Sequence, residues 1–166
     1  MAPKSALVGL PLEVVGPVDV GRLLRELETI DNTLLEMGIR SGGTQPAVPK
    51  TSHMMERVIE FNKLNLLQEA DRKQLQQLLV TVKERAPLLH ISFSSDPTPV
   101  FIEKLMTWLR REIHPVVLLT IGLQPNIGAG CIVRSTNHYF DFSLRQDFMK
   151  KRDLLMSKLA AEEKPA

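Results

Sequence analysis

The chain carries a single cysteine, Cys131, in 166 residues. No internal disulfide can staple it, so stability must come from packing, as suits a reducing compartment. Aromatic residues are scarce, at 5%, which leaves the core to Leu, Ile, Val and Met. No stretch approaches the roughly 20 consecutive apolar residues needed to span a bilayer. Residues 1–22 contain Pro3, Pro11 and Pro17, and Leu7 to Leu12 is interrupted by Gly9 and Pro11. That pattern is neither a signal-peptide core nor an Arg- and Ser-rich transit helix. Dense runs of one charge are lacking too. Net charge is only +2, and the best basic cluster, Lys150-Lys151-Arg152, reads as the solvated face of a helix. These absences predict a cytosolic protein whose link to any membrane runs through a partner.

What remains is ordinary globular composition, 43% hydrophobic and 24% charged, enough for one or two small domains. Residues 1–18 read as an extended arm punctuated by proline. Asp19 is placed to cap a helix in which Leu23, Leu27, Ile30 and Leu34 recur at helical spacing, with Leu24 and Leu35 widening the stripe. Gly38 predicts its end, and Ser41 to Pro49 a loop. Thr51 or Ser52 can start a second helix bearing Met54, Met55, Val58 and Ile59, broken near Asn62 to Asn65. A third amphipathic stretch follows through Leu75, Leu78, Leu79 and Val82 and ends before Pro87. Each stripe is marginal alone and must be buried against the others.

From Leu88 the period changes. Leu88 to Phe93 alternates as a strand does, and Ser94-Ser95-Asp96-Pro97 stops it. Thr98-Pro99 opens a helix with Phe101, Ile102, Leu105, Met106, Leu109 and Ile113 on its apolar side. Val116 to Ile121 is a β-branched run suited to a strand buried on both faces. A hairpin over 129–135 and 138–142 follows, turning at Thr136-Asn137. Ser143 with Gln146 fits a capping box that starts a terminal helix with Phe148, Leu155 and Leu159 in a stripe. The predicted fold is α+β, with an amino-terminal helical bundle over 19–87 and a small β-α-β-β-β-α domain over 88–166.

No catalytic, cofactor-binding or metal-binding set assembles from these residues. The glycines around Gly128-Ala129-Gly130 precede Cys131-Ile132-Val133, which is strand-like, whereas a phosphate loop runs into a helix and usually carries a lysine. Close backbone approach and a bulge account for them. His53, His90, His114 and His138 are scattered, with none at i,i+4 and no cysteine pair. Asp141 and Ser143 share a side of a strand, but no histidine is placed to act as base; caps at a helix start explain both. Trp108, beside Arg110 and Arg111, is of the type that anchors interfaces, and its spacing fits partial core burial equally well.

The carboxyl-terminal half resembles the delta subunit of F-type ATP synthases, the oligomycin-sensitivity-conferring protein of mitochondria. In that family a Gly-Gly pair, an apolar strand, a turn, an apolar pair and Asp-x-Ser precede an apolar-rich helix. Here these fall on Ala129-Gly130, Cys131 to Arg134, Thr136-Asn137-His138, Tyr139-Phe140 and Asp141-Phe142-Ser143. Leu66-Leu67-Gln68-Glu69-Ala70-Asp71-Arg72 with Leu75 is similar to the Leu-Leu, acidic, Arg element near the end of the family's helical domain. The likeness covers about residues 60–160. Ala129 replaces the first glycine, Thr136 stands at a turn glycine, and the Arg-Tyr-Ala motif and about half of the six-helix bundle are missing.

The resemblance implies a non-enzymatic stator subunit without cofactor, metal or nucleic acid, at the cytoplasmic face of a bacterial plasma membrane. Its partners would be the alpha and beta subunits of the head and the b subunits of the peripheral stalk. Leu23, Leu27, Met55 and Leu67 are then expected on the face toward the head, and Trp108, Phe148 and Leu155 on the face toward the stalk. Ala129, Gly130, Asp141 and Ser143 are expected to shape the backbone. An adaptor in another rotary or secretion ATPase stalk, and a small basic nucleic-acid-binding protein, are the alternatives.

Overall fold

The computed structural model describes residues 9–40 and 49–162. It is a mixed α/β chain in the order α1 (Pro17–Arg40), α2 (His53–Asn62), α3 (Glu69–Arg85), β1 (Leu88–Phe93), α4 (Pro99–Glu112), β2 (Leu118–Leu123), a 3-10 turn (Pro125–Ile127), β3 (Cys131–Arg134), β4 (Tyr139–Asp141) and α5 (Arg145–Glu162). The α+β prediction therefore holds. Two compact units form, one from Met1–Leu88 with Pro99–Thr120, the other from Leu89–Thr98 with Ile121–Ala166. The division is not the simple cut at 87/88 expected from the change of period: α4 and the start of β2 belong to the helical unit.

In the helical unit α1 packs on α3. Val20, Leu23, Leu27, Ile30 and Leu34 are buried at spacings of three and four, as one face of a helix demands. Met55 and Val58 of α2 and Leu75, Leu79 and Val82 of α3 complete that core with Leu118. Leu35, counted in the stripe from sequence, is exposed, because it falls round the helix from Leu34 and Ile30. The first helix begins at Pro17, where a fixed φ suits the first turn. Asp19 caps from inside that turn, its carboxylate accepting the N–H groups of Val15 (3.1 Å) and Gly16 (3.0 Å). Gly38 does not end α1, which runs to Arg40; the predicted loop over 41–48 lies outside the described residues. Ser52 is the N-cap of α2, accepting from the Met55 N–H at 3.2 Å. Lys63, in the left-handed region at φ 52°, ends α2.

The Leu66 to Arg72 element has a clear structural cause. Asp71 and Arg72 are buried, and each is satisfied. Asp71 accepts the Asn65 N–H at 2.8 Å, while Arg72 donates to the Leu66 carbonyl at 2.8 Å and pairs with Asp31 of α1. A buried charge must be paired and hydrogen-bonded, so this set fixes where α3 begins relative to α1.

Residues 9–16 are not a free arm. Leu10 and Val14 are buried in the helical core, and Val15 accepts a hydrogen bond from the Leu119 N–H at 2.8 Å. A Cβ at Gly16 would stand 2.7 Å from the Leu119 oxygen, so only glycine fits that crossing.

The sheet has the order β2-β1-β3-β4. β3 runs antiparallel to β1, with His90 opposite Arg134 and Ser92 opposite Ile132, and β4 antiparallel to β3, with Val133 opposite Phe140. Among the described residues no helix is long and apolar enough to cross a membrane.

Candidate interaction surfaces

The glycine, aspartate and serine singled out in the sequence do come together, as a backbone joint. Gly130 has φ 92°, a region L side chains rarely adopt. A Cβ there would overlap the Phe142 carbonyl oxygen and stand 3.1 Å from the Ser143 Cα. That closeness lets the Phe142 N–H reach the Cys131 carbonyl (2.9 Å) and the Leu144 N–H reach the Ala129 carbonyl (3.0 Å). Asp141 then accepts the Ser143 N–H at 2.8 Å. The Ser143 hydroxyl and N–H together hold the Asp141 carboxyl below its ordinary range. The role expected of Ser143 shifts accordingly: α5 begins at Arg145, with the Phe148 N–H bonded to the Leu144 carbonyl, so Ser143 lies before the cap position. The acceptor at this turn is Asp141, two residues earlier.

Beyond the joint, side chains that sequence patterning would send inward lie in the open. Tyr139, Phe140, Phe142, Leu144, Phe148 and Met149 are each between 44% and 65% exposed. Phe140 and Phe142 stack at 6.1 Å between ring centroids, and Arg134 lies over the Tyr139 ring at 5.2 Å. Further along α5, Leu154 and Met156 are exposed as well. Exposed apolar residues occurring singly are ordinary, whereas so many within residues 139–156, with Phe140 and Phe142 stacked, are of the kind found at contact surfaces. Arg134 and Asp141 are engaged separately, with Tyr139 and Ser143. His138 donates its backbone N–H to Ser135 in the turn. Among the described residues no group of three or more His, Cys, Asp or Glu could hold a metal ion.

In the helical unit the residues expected on a partner face divide. Leu23, Leu27 and Met55 are at most 1% exposed and form the core; a side chain already enclosed by its own chain has no surface to offer. Leu67 is 42% exposed, next to buried Leu66. Trp108 is half exposed, and with Lys104 and Arg111 it lines a shallow depression of about 360 Å³. It belongs to the helical unit, not to the sheet unit where its position after β1 had placed it. Phe148 is exposed as described, and the side chain of Leu155 lies outside the described residues.

Sequence reasoning missed Arg110. It turns inward, and its guanidinium donates to the carbonyls of Leu10 (2.6 Å), Pro11 (2.7 Å) and Val14 (2.5 Å). Burial draws its pKa down, with Glu13 opposing the shift. No local signal reveals this role, because the acceptors lie about a hundred positions away and are backbone atoms. No family model matches the sequence, and no curated protein matches it.

Proposed function

We propose that the chain is a non-catalytic stator subunit of an F-type ATP synthase. It joins the catalytic head to the b subunits of the peripheral stalk, at the cytoplasmic face of the membrane, and resists the torque of rotation. The Ala129 to Ser143 resemblance suggests the family. The observation that carries the reading on physical grounds is the exposed apolar set on β4 and α5, from Tyr139 to Met156. A surface of that kind is costly in water and is ordinarily covered by a partner.

A helical stalk partner suits this surface, since a rod of side chains can lie along Phe148, Met149 and Met156 as knobs meet holes. The helical unit offers Trp108 and Arg111 as a second contact surface toward the head, with Trp and Arg favoured at interface centres, and Leu67 as a further exposed apolar side chain. Neither face needs catalysis, a cofactor or a metal to act. The test is purification of the tagged full chain from solubilised membranes, followed by identification of bound subunits. The expected result is stoichiometric recovery of head and stalk subunits. Recovery of the chain alone, or with unrelated proteins, would overturn the proposal.

A further inference from the structure

The strap of residues 11–15 is one wall of a groove that the stator reading does not use. The groove is lined also by α4 at Pro99, Ile102 and Glu103 and by α2 at Arg57 and Phe61. All three segments belong to the helical unit. The groove encloses about 620 Å³, within the usual range for ligand sites. Its apolar lining comes from Leu12, Val15, Phe61 and Ile102, and Phe61 is 56% exposed although its ring lies against Gly9.

The charges on this groove are unequal. Among the described residues Arg57 is the one cation lining it, and its guanidinium is shared between Glu13 (2.9 Å) and Glu60 (3.1 Å). Glu103 also lines the groove, and no salt bridge engages its carboxylate among the described residues. The site thus offers apolar surface beside a carboxylate that, among the described residues, is in no salt bridge.

We infer that this groove docks a short peptide segment of a partner protein, apolar in its contacts and carrying a lysine or arginine. The apolar side chains enter between Phe61 and Ile102, and the cation sits against Glu103. Arg110 donates to the carbonyls of Pro11 and Val14 within the strap and of Leu10 just before it, which ties this stretch to α4. The inference does not rest on the stator reading.

The test uses the full chain and a fluorescein-labelled decapeptide of alternating leucine and lysine, with a leucine–glutamate peptide as control. Binding is read by anisotropy, and the site is mapped by amide chemical-shift changes. Glu103→Lys and Phe61→Ser are suitable variants, since both positions are exposed, and circular dichroism checks that each is folded. The expected result is shifts confined to residues 11–15, 57–61 and 99–103, no binding of the acidic control, and about tenfold weaker binding by each variant. Shifts elsewhere, equal binding of the acidic peptide, or unchanged affinity in Glu103→Lys would overturn the inference. So would self-association abolished by Phe61→Ser, which would assign the groove to a second copy of the chain.

Discussion

Arg110 donates to the Val14 carbonyl at 2.5 Å across 96 positions of sequence. The same side chain takes in Leu10 and Pro11, so one cation satisfies three backbone acceptors where the strap leaves regular structure. Hydrogen bonds from a charged donor contribute about 1.5–3 kcal/mol each at most. The net here is smaller than their sum, because Arg110 Nε is buried without a partner among the described residues. Arg110→Met is expected to lower unfolding stability by about 2 kcal/mol, and Arg110→Lys by less. Urea unfolding of both variants checks this; a loss below about 0.5 kcal/mol would mean the strap is held by Leu10 and Val14 burial alone.

Gly128 and Gly130 both have positive φ, 77° and 92°, yet their surroundings differ. A Cβ at Gly128 meets nothing within 4 Å, whereas one at Gly130 runs into the Phe142 backbone. Gly128→Ala should therefore cost only the conformational penalty of φ 77° and ψ −60°, about 1–3 kcal/mol. Gly130→Ala should cost at least about 2 kcal/mol more, since backbone rather than a side-chain tip must move. Parallel thermal melts of the two variants decide it. Equal losses would show that the joint between β3 and the start of α5 yields easily.

Local chemistry was legible in the sequence, and long-range enclosure was not. Ser52 could be read as a cap because the N–H it receives is three residues away. Gly130 could be read as a close approach because glycine between apolar strands has few other uses. The stripe Leu23-Leu27-Ile30-Leu34 fixed which side of α1 is apolar, but a stripe is the same whether α3 or a partner covers it. Leu27 proved to be core for that reason, and Phe148, with the same kind of spacing, proved to be exposed. Trp108 was undecidable at the edge of its stripe. Arg110 and the groove beside the strap depend on pairings about a hundred positions apart, which no periodicity encodes.

Asp31 and Arg72 pair between α1 and α3, with Arg72 buried and Asp31 one-third exposed. Removing Asp31 leaves a buried guanidinium with, among the described residues, its bond to the Leu66 carbonyl and a weaker attraction to Glu69. Losses of about 3–5 kcal/mol are typical for fully buried pairs, and the exposure of Asp31 places Asp31→Ala nearer about 2 kcal/mol. The double variant Asp31→Ala with Arg72→Met should be less destabilised than Asp31→Ala alone, because no unpaired charge remains. A double-mutant cycle by chemical denaturation measures the sign, and a more unstable double variant would contradict the argument.

The Asp141 carboxyl is held below its ordinary range by Ser143, so its folded pKa lies under its unfolded one. Its contribution is therefore fully present above the ordinary aspartate range and is lost as pH falls through the lowered folded value. Carboxyl-carbon NMR should show Asp141 titrating below a free aspartate, with Ser143→Ala moving it back up. Stability of Asp141→Ala should converge on that of the unmodified chain in acid. A carboxyl titrating at or above the ordinary range would remove Asp141 from the joint.

Phe148 separates a partner surface from a core most directly. It is 55% exposed, against 1% for Leu27. Leu27→Ala should cost about 2–5 kcal/mol through the cavity it leaves, and would impair any assembly indirectly. Phe148→Glu removes no enclosed contact, so the isolated chain should keep its stability to within about 0.5 kcal/mol. On the proposed stator reading, a charge at this surface is desolvated when a stalk helix covers it, and it should sharply reduce recovery of partner subunits in co-purification. A Phe148→Glu chain that melts like Leu27→Ala would make this surface part of the protein's own core. One that is stable and still recovers every subunit would leave the exposed residues of β4 and α5 without a function in assembly.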